Sequence, residues 1–221
     1  ERRTTDDAEG QVVATSDKIP TEAEIRAILP RFTGEIMQLP PIYSALKVAG
    51  RRAYDLARAG EEVVLVERPV TIHSLELLGV EGKTAHFRAT VSKGTYIRSL
   101  GRDIAQAVGS EGYISRLHRS AVGPFTDAEA ISLDFLAESV HKAAPPEGTS
   151  QWLTPLERAL DDIPAVSIDG GQLTQLRHGQ RIMLSTPLPD MPQIAVVHQG
   201  KLVALARVEG NQVIPVRLLV L

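Results

Sequence analysis

The feature that most constrains this chain is a change of hydrophobic period between residues 84 and 108. Apolar and polar residues alternate from Thr84 to Ser92, which is the period of a half-buried β-strand. From Ile97 the apolar residues recur at helical spacing, and Gly109 follows as a typical C-terminal stop. The chain is therefore predicted to run here as a strand, a tight turn and a helix, followed by a second short basic strand over 113–119.

The turn between this strand and this helix carries two side chains suited to chemistry. Tyr96 and Arg98 lie where the strand gives way to the helix, so both can project from one end of a sheet, where open sheets commonly bind ligands. A Tyr offers an aromatic face and a hydroxyl for proton transfer, and an Arg offers a planar fork for a carboxylate or a phosphate. A structural reading, with a half-buried Tyr and a solvated Arg, also fits these two residues taken alone.

Cations cluster in two parts of a chain whose net charge is −3. The first part follows Pro40-Pro41, where aromatic and basic residues interleave before Gly60. The second part surrounds the turn described above. The candidate RNA-binding residues are Lys47, Arg51, Arg52, Arg58, Lys93, Arg116 and Arg119. A local basic face on an acidic protein indicates nucleic-acid binding. A solvated surface hairpin with a short helix remains an alternative for residues 40–60.

The remaining patterns predict an α+β fold with a mixed or antiparallel sheet. Thr21 and Glu24 have the spacing of a capping box that opens a helix. Further strands are predicted over 11–16, 63–66 and 70–80. The composition of residues 142–150 is typical of a loop. From residue 161 onward, short apolar runs separated by turns predict a small β-rich module, near the lower size limit for independent folding.

The composition also excludes several classes of site. The chain has no Cys, so it has neither a disulfide framework nor a thiolate metal site, and its six His do not cluster at ligand spacing. No apolar run is long enough for a membrane span and no signal peptide is visible, so a cytoplasmic location is predicted. Asp6, Asp7 and Glu9 are predicted to form a solvated turn, although a metal or acid–base site is conceivable there.

Three stretches of the sequence carry a resemblance when they are taken together. They read Thr4-Thr5-Asp6-Asp7-Ala8-Glu9-Gly10, then Pro40-Pro41-Ile42-Tyr43-Ser44-Ala45-Leu46-Lys47 with Gly50-Arg51-Arg52-Ala53-Tyr54-Asp55-Leu56-Ala57-Arg58, and finally Lys93-Gly94-Thr95-Tyr96-Ile97-Arg98-Ser99-Leu100 with Arg116-Leu117-His118-Arg119. Together they resemble the TruB family of tRNA pseudouridine synthases. The resemblance implies a pseudouridine synthase catalytic domain over 1–160, with an inserted RNA-gripping segment at about 40–67. It also implies a reduced PUA-like domain over 161–221.

The resemblance further implies a reaction and the residues that serve it. A uridine of the tRNA T-arm is flipped out of its loop and isomerised, without a cofactor or a metal. Tyr96 corresponds to the family's active-site Tyr, which stacks on the base and moves a proton. Arg98 corresponds to the Arg that pairs with the catalytic carboxylate, and Leu117 to the Leu that packs on the flipped base. The sequence gives no sign of an obligate protein partner.

One family motif is absent from these 221 residues. The family's catalytic Asp lies in a Gly-His-x-Gly-Thr-Leu-Asp-Pro motif that precedes the Thr-Asp-Asp stretch, and this chain begins at Glu1 without it. We therefore expect a fragment in which Arg98 faces an empty position, neither Asp6 nor Asp7 is the nucleophile, and catalysis is absent. Two other hypotheses stay open. One is a non-catalytic RNA-binding module, and the other is a structural domain, for which replacing Arg51 and Arg52 by Ala leaves RNA affinity unchanged.

Overall fold

A computed structural model describes residues 1–44, 46–48, 50–61, 63–142, 153–160 and 162–219 of the chain. The chain divides into two compact units, Glu1–His118 and Arg119–Leu221, and each is described by itself. The domain boundary expected near residue 161 stays a prediction, because this division into units does not test it. The predicted loop at 142–150 falls almost entirely outside the described residues.

The first unit contains seven strands and three α-helices among the described residues. The strands are β1 (Arg2–Arg3), β2 (Val12–Ala14), β3 (Gly34–Gln38), β4 (Lys47–Val48), β5 (Arg51–Arg52), β6 (Arg68–Glu81) and β7 (Thr84–Val91). The helices are α1 (Glu22–Ile28), α2 (Ala53–Arg58) and α3 (Ile97–Ala107), and a 3-10 turn spans Leu29–Phe32. The strands expected over 11–16 and 70–80, the strand and helix expected after residue 84, and the helix opened by Thr21 are confirmed.

A three-stranded antiparallel sheet with the order β3-β6-β7 forms the centre of this unit. Apolar and polar side chains alternate along β6 and β7, so one face of the sheet is apolar. This face packs against α1 and α3. The shared core consists of Ile25, Leu29, Ile72, Leu77, Leu100, Ile104 and Val108. Since α3 lies across the sheet, its first turn comes close to the end of β3, and Gly94 takes the positive φ of +85° that the turn into α3 requires.

Two strands expected from the sequence are wrong. Residues 63–66 are not a strand, and Val64 and Val66 are each 71% exposed, so this short apolar run has no neighbour to pair with. Residues 113–119 contain only a single parallel bridge, between Ile114 and Asp7. Ile114 instead packs on α3 at Gly101, where an added Cβ would lie 2.5 Å from the Ile114 Cδ1 atom.

The second unit contains a five-stranded sheet, which confirms the small β-rich module. The described strands of this unit are β8 (Ala121–Val122), β9 (Phe125–Thr126), β10 (Ala165–Ser167), β11 (Ile182–Met183), β12 (Met191–His198), β13 (Lys201–Glu209) and β14 (Gln212–Leu218). Strands β10 to β14 form the five-stranded sheet, and β8 and β9 form a separate hairpin. Among the residues of this unit that the structure describes, the helices are α4 (Leu133–Lys142) and α5 (Gly170–Arg177), with 3-10 turns at Asp127–Glu129 and Leu156–Leu160.

The large sheet of this unit has the order β10-β12-β13-β14-β11. The pair β10–β12 is parallel and the other pairs are antiparallel, so the α+β class with mixed and antiparallel sheets is confirmed. The core between this sheet and α5 includes Leu176, Ile182, Ile194, Val196 and Val213, all fully buried. Among the described residues, no helix is both long enough and apolar enough to cross a membrane.

The cap of α1 gives a prediction about stability and pH. The Glu24 carboxylate accepts hydrogen bonds from the Thr21 N–H at 2.8 Å and hydroxyl at 2.9 Å, and it pairs with Lys18 at 2.9 Å. These contacts, the Thr21 N–H first, lower the pKa of Glu24 from 4.5 to about 2. A carboxyl group whose pKa is lower in the folded state than in the unfolded state stabilises the fold when it is ionised. This stabilisation is fully present above the unfolded-state pKa, and it is lost as pH falls through the folded-state pKa.

We therefore expect the difference in urea midpoint between the wild type and Glu24→Gln to be constant near neutral pH. The difference should shrink as pH falls from about 4.5 to about 2. Urea titrations at several pH values measure it, with Glu22→Gln as a charge-matched control on the same helix. A difference that is independent of pH would contradict the prediction.

Candidate active site

Tyr96 and Arg98 stand at the start of α3, as the sequence predicts. Tyr96 is the N-cap residue, with an extended backbone (φ −97°, ψ 107°), and Arg98 is the second helical residue. The turn before them is closed by hydrogen bonds from the Thr95 N–H to the Ser92 carbonyl and from the Thr71 N–H to the Ser92 hydroxyl. The strand-to-helix junction therefore has a fixed geometry, and both side chains are half-buried.

Three oxygen atoms hold the Arg98 guanidinium. Its Nη1 donates to the Asp7 carboxylate and to the Thr5 carbonyl, both at 3.0 Å, and its Nη2 donates to the Tyr43 carbonyl at 2.9 Å. The side chains of Arg98 and Asp7 are 27% and 26% exposed. The expectation that Arg98 faces an empty position is wrong in this respect, because a carboxylate from the 5–7 loop pairs with it.

The Asp7 carboxylate is itself held on several sides. The Thr5 hydroxyl donates to its Oδ1 at 2.5 Å, and the Glu9 N–H donates to the same atom at 3.1 Å. Burial on its own raises the pKa of Asp7, but the hydrogen bonds from Thr5 and Glu9 and the charge of Arg98 outweigh burial and lower the pKa below its ordinary value. Asp7 is therefore ionised at neutral pH and offers Arg98 a full negative charge.

The neighbouring Asp6 forms a second and more deeply buried ion pair. Arg102 Nη1 donates to Asp6 Oδ2 at 2.9 Å, with side-chain exposures of 13% and 9%. The Nε atom of the same guanidinium donates to Asp103 at 2.8 Å, and its Nη2 donates to the Leu39 carbonyl at 3.1 Å. Burial raises the pKa of Asp6, against the opposing effect of Arg102.

The prediction of a solvated turn at Asp6 and Asp7 is therefore wrong. Two adjacent carboxylates meet two arginines spaced i and i+4 along α3, which lie on one face of a helix. Asp6 has a φ of +57°, a conformation that Asp tolerates better than most residues. The signal in the sequence is the Asp-Asp pair together with the Arg98/Arg102 spacing, but nothing local indicates that these segments meet.

Leu117 and Arg116 belong to the exposed segment that follows Ile114. Leu117 is 55% exposed. Arg116 and Lys93 are also exposed, and Arg119 belongs to the second unit. The roles predicted for these four residues stay predictions.

The 40–67 segment places its basic residues on small elements that are anchored near Arg98. Lys47 lies on β4, Arg51 and Arg52 lie on β5, and all three are exposed. Arg51 pairs with Glu61 at 2.9 Å, whereas the Arg58 guanidinium lies 4.3 Å from the ring centre of Tyr54.

Aromatic and backbone contacts connect this segment to the site. The Tyr54 ring meets the Tyr43 ring edge-on with centres 6.4 Å apart, and the Tyr54 N–H donates to the Ser44 carbonyl at 3.1 Å. The Tyr43 carbonyl is the same one that binds Arg98. Within the described parts of the chain, no group of three or more His, Asp or Glu side chains is placed to hold a metal ion.

Comparisons with known proteins find one family along most of the chain. Residues 1–97 match the family model described as TruB family pseudouridylate synthase (N terminal domain), and residues 98–161 match the tRNA pseudouridylate synthase B C-terminal domain. The chain is 46% identical to the tRNA pseudouridine synthase B of Rhodopseudomonas palustris over 98% of its length, covering 60% of that protein. It is also 46% identical to the protein of the same name from Rhodospirillum rubrum, covering 98% of the chain and 72% of that protein.

Two solved structures show a similar fold. The chain matches a Cbf5-Nop10-Gar1 complex with a TM-score of 0.67 and 26% identity, covering 94% of the chain and 63% of that structure's chain. A second match, an H/ACA RNP bound to a substrate RNA containing 2'-deoxyuridine, has a TM-score of 0.70 and 23% identity, covering 94% and 64%. The chain spans 60% to 64% of the length of the first curated relatives that it matches.

Proposed function

This chain belongs to the TruB family of pseudouridylate synthases, and from that premise we propose that its first unit holds the uridine-binding part of a site that converts a tRNA uridine to pseudouridine. The observation that carries the proposal is the Arg98 guanidinium, fixed by Asp7, Thr5 and Tyr43 beside Tyr96. A planar cation held in one orientation at the end of a sheet is suited to orient a second carboxylate.

Arg98 keeps the capacity for that second carboxylate. A guanidinium has five N–H donors. Both hydrogens of Nη1 and one hydrogen of Nη2 have partners among the described residues, which leaves Nε–H and one Nη2 hydrogen for a further acceptor. Asp7 then serves to hold Arg98 in place, and the family's catalytic carboxylate would be its second acidic partner.

The proposed reaction is an isomerisation in which no atom is gained or lost overall. The uridine is flipped from the T-loop of the tRNA, and its unstacking cost is offset by stacking on Tyr96 and packing against Leu117. The carboxylate starts cleavage of the bond between N1 and C1′, the uracil turns, and a bond forms between C5 and C1′. The proton on C5 is then removed, and N1 gains one. The Tyr96 hydroxyl is the candidate group for transfer of the proton that leaves C5.

The RNA partner is proposed from charge and exposure. Lys47 and Arg52 project from the small β4–β5 hairpin, and Arg58 lies on the helix that follows it. The Tyr43 carbonyl of this segment binds Arg98, so the exposed cations of the segment would place phosphate contacts beside Arg98. The T-arm of tRNA is the proposed ligand, and the cytoplasm is the proposed location.

A second candidate function is RNA binding without chemistry. It is favoured by the ion pairs of the site, because Asp7 pairs with Arg98 and Asp6 pairs with Arg102, so neither carboxylate is free to act as the nucleophile. On either proposal, the 221-residue chain alone is expected to bind tRNA without converting uridine.

The deciding experiment joins the chain to a family N-terminal segment that carries the motif. Incubation with tRNA labelled with tritium at uridine C5 is expected to release tritium, because isomerisation removes the C5 hydrogen. The same fusion with the motif Asp replaced by Asn is the matched control and should release none. A folded fusion that binds tRNA but releases no tritium would contradict the enzyme proposal and favour the binding module.

A further inference from the structure

Gln38 ends β3 with a side chain that is only 2% exposed, so its amide must find partners inside the protein. Both partners are backbone atoms of Tyr96. The Tyr96 N–H donates to Gln38 Oε1 at 2.8 Å, and Gln38 Nε2 donates to the Tyr96 carbonyl at 3.1 Å. One side chain therefore reproduces the paired hydrogen bonds that a neighbouring strand would make.

This pair of hydrogen bonds, which we call the clamp, satisfies the Tyr96 N–H, which the helix itself cannot do. Tyr96 is the N-cap of α3, and no side-chain cap accompanies it, so its N–H has no partner within the helix. Its carbonyl accepts from the Leu100 N–H at 3.0 Å as well as from Gln38, so both lone pairs are used. The peptide groups on both sides of the Tyr96 Cα are thus fixed.

The end of β3 is in turn held against α3 by neighbouring bonds. The Ser99 hydroxyl donates to the Leu39 carbonyl at 2.8 Å, and Arg102 Nη2 donates to the same oxygen at 3.1 Å. Ser99 is fully buried. Gln38 therefore acts from a rigid base, and the Tyr96 backbone cannot turn without breaking both of its hydrogen bonds.

We propose that Gln38 is a positioning residue, which fixes the backbone of Tyr96 so that its ring is presented to the uridine. That the presented ring serves a uridine rests on the proposed function, whereas the clamp rests on its own hydrogen bonds. A displacement of about 1 Å at a reacting group is enough to slow a reaction strongly. A single buried amide far from the substrate can therefore matter as much as a direct contact.

Amide hydrogen exchange of Tyr96 in the 221-residue chain tests the clamp without any assay of function. Gln38→Met fills a similar volume but makes neither bond, and we expect Tyr96 to exchange about fivefold to tenfold faster, after correction for global stability. Gln106→Met, on an exposed part of α3, is the control. Unchanged Tyr96 exchange in Gln38→Met would overturn the clamp.

Binding of two RNA hairpins tests whether the clamp positions Tyr96 for a uridine. The hairpins carry either uridine or an abasic site at the target position of a T-loop. Wild type is expected to bind the uridine hairpin at least about fivefold more tightly, since one base stacked on an aromatic ring contributes that much or more. Gln38→Met should lose this preference while its affinity for the abasic hairpin stays within about twofold of wild type, because the cations of the 40–67 segment are untouched.

The outcomes of these experiments distinguish the proposed uridine site from the positioning role of Gln38. A wild type that binds both hairpins equally would overturn the proposed uridine site, and the exchange of Tyr96 would still decide the clamp. A wild type that prefers uridine, with Gln38→Met retaining the same preference, would overturn the positioning role of Gln38 alone.

Discussion

Arg98→Lys is expected to lower the rate of tritium release by about a hundredfold or more in the fusion that carries the family's Asp motif, as for the loss of one aligned donor in other active sites. Lys keeps the charge, but it replaces a planar fork with a single ammonium group. That group cannot reach the Asp7 carboxylate and the Thr5 and Tyr43 carbonyls at once, as Arg98 does. The second carboxylate would then lose its fixed orientation.

Single-turnover tritium release with excess enzyme measures this effect apart from tRNA binding and product release. Arg26→Lys is the matched control, because Arg26 forms an exposed pair with Glu22 on α1 and is expected to leave the rate unchanged. The tRNA affinity of Arg98→Lys should remain close to that of wild type, since the proposed phosphate contacts are made by Lys47, Arg52 and Arg58. An Arg98→Lys fusion that reacts at the wild-type rate would show that orientation of the guanidinium is not needed.

The local elements of the first unit were predictable because their signals are local. The alternation at 84–91 and the helical spacing after Ile97 correspond closely to β7 and α3. The strand expected at 113–119 failed because Ile114 meets Gly101 on α3, a contact made possible by a missing side chain on another element. Periodicity describes which face of a segment is apolar, but it does not say what that face will touch.

The supporting residues of the site could not be predicted for a related reason. Asp7 and Arg98 are 91 positions apart, and Gln38 and Tyr96 are 58 apart. Each of these side chains reads locally as a polar surface residue, and only the packing of α3 on the sheet brings the partners together. Tyr96 and Arg98 were predicted as site residues because their types suit chemistry and because they match a motif of the family that the sequence resembles. The contacts that Asp6, Asp7 and Gln38 make with α3 and its N-cap were not predicted, because these residue types are common in solvated turns and on strand surfaces.

Arg102→Met is expected to destabilise the first unit by about 3 kcal/mol. The substitution keeps most of the side-chain volume and removes the cation. Asp6, whose side chain is 9% exposed in the pair, would then lose the guanidinium that is hydrogen-bonded to it. The ion pair itself need not add much net stability, because its formation costs desolvation of both groups. The large effect comes from leaving one charge buried without its partner.

The double variant Asp6→Asn with Arg102→Met separates this cost from a loss of packing. Asn tolerates the positive φ at position 6, so the backbone is conserved. If the uncompensated charge dominates, the double variant is expected to regain about half or more of the stability lost in Arg102→Met, and the two changes will be far from additive. Urea unfolding of the four proteins at pH 7 gives the coupling free energy.

The pH dependence of Arg102→Met provides an independent check on that explanation. Burial already raises the pKa of Asp6 in the presence of Arg102, and removing the cation should raise it further. A carboxyl whose pKa is raised in the folded state destabilises the fold when ionised, and this cost disappears as pH falls through the folded-state value. The deficit of Arg102→Met relative to wild type should therefore shrink as the solution is acidified, while the double variant shows no such recovery. A deficit that is equal at all pH values, and additive in the cycle, would mean that Arg102 stabilises this unit through packing and its bonds to Leu39 and Asp103 rather than through Asp6.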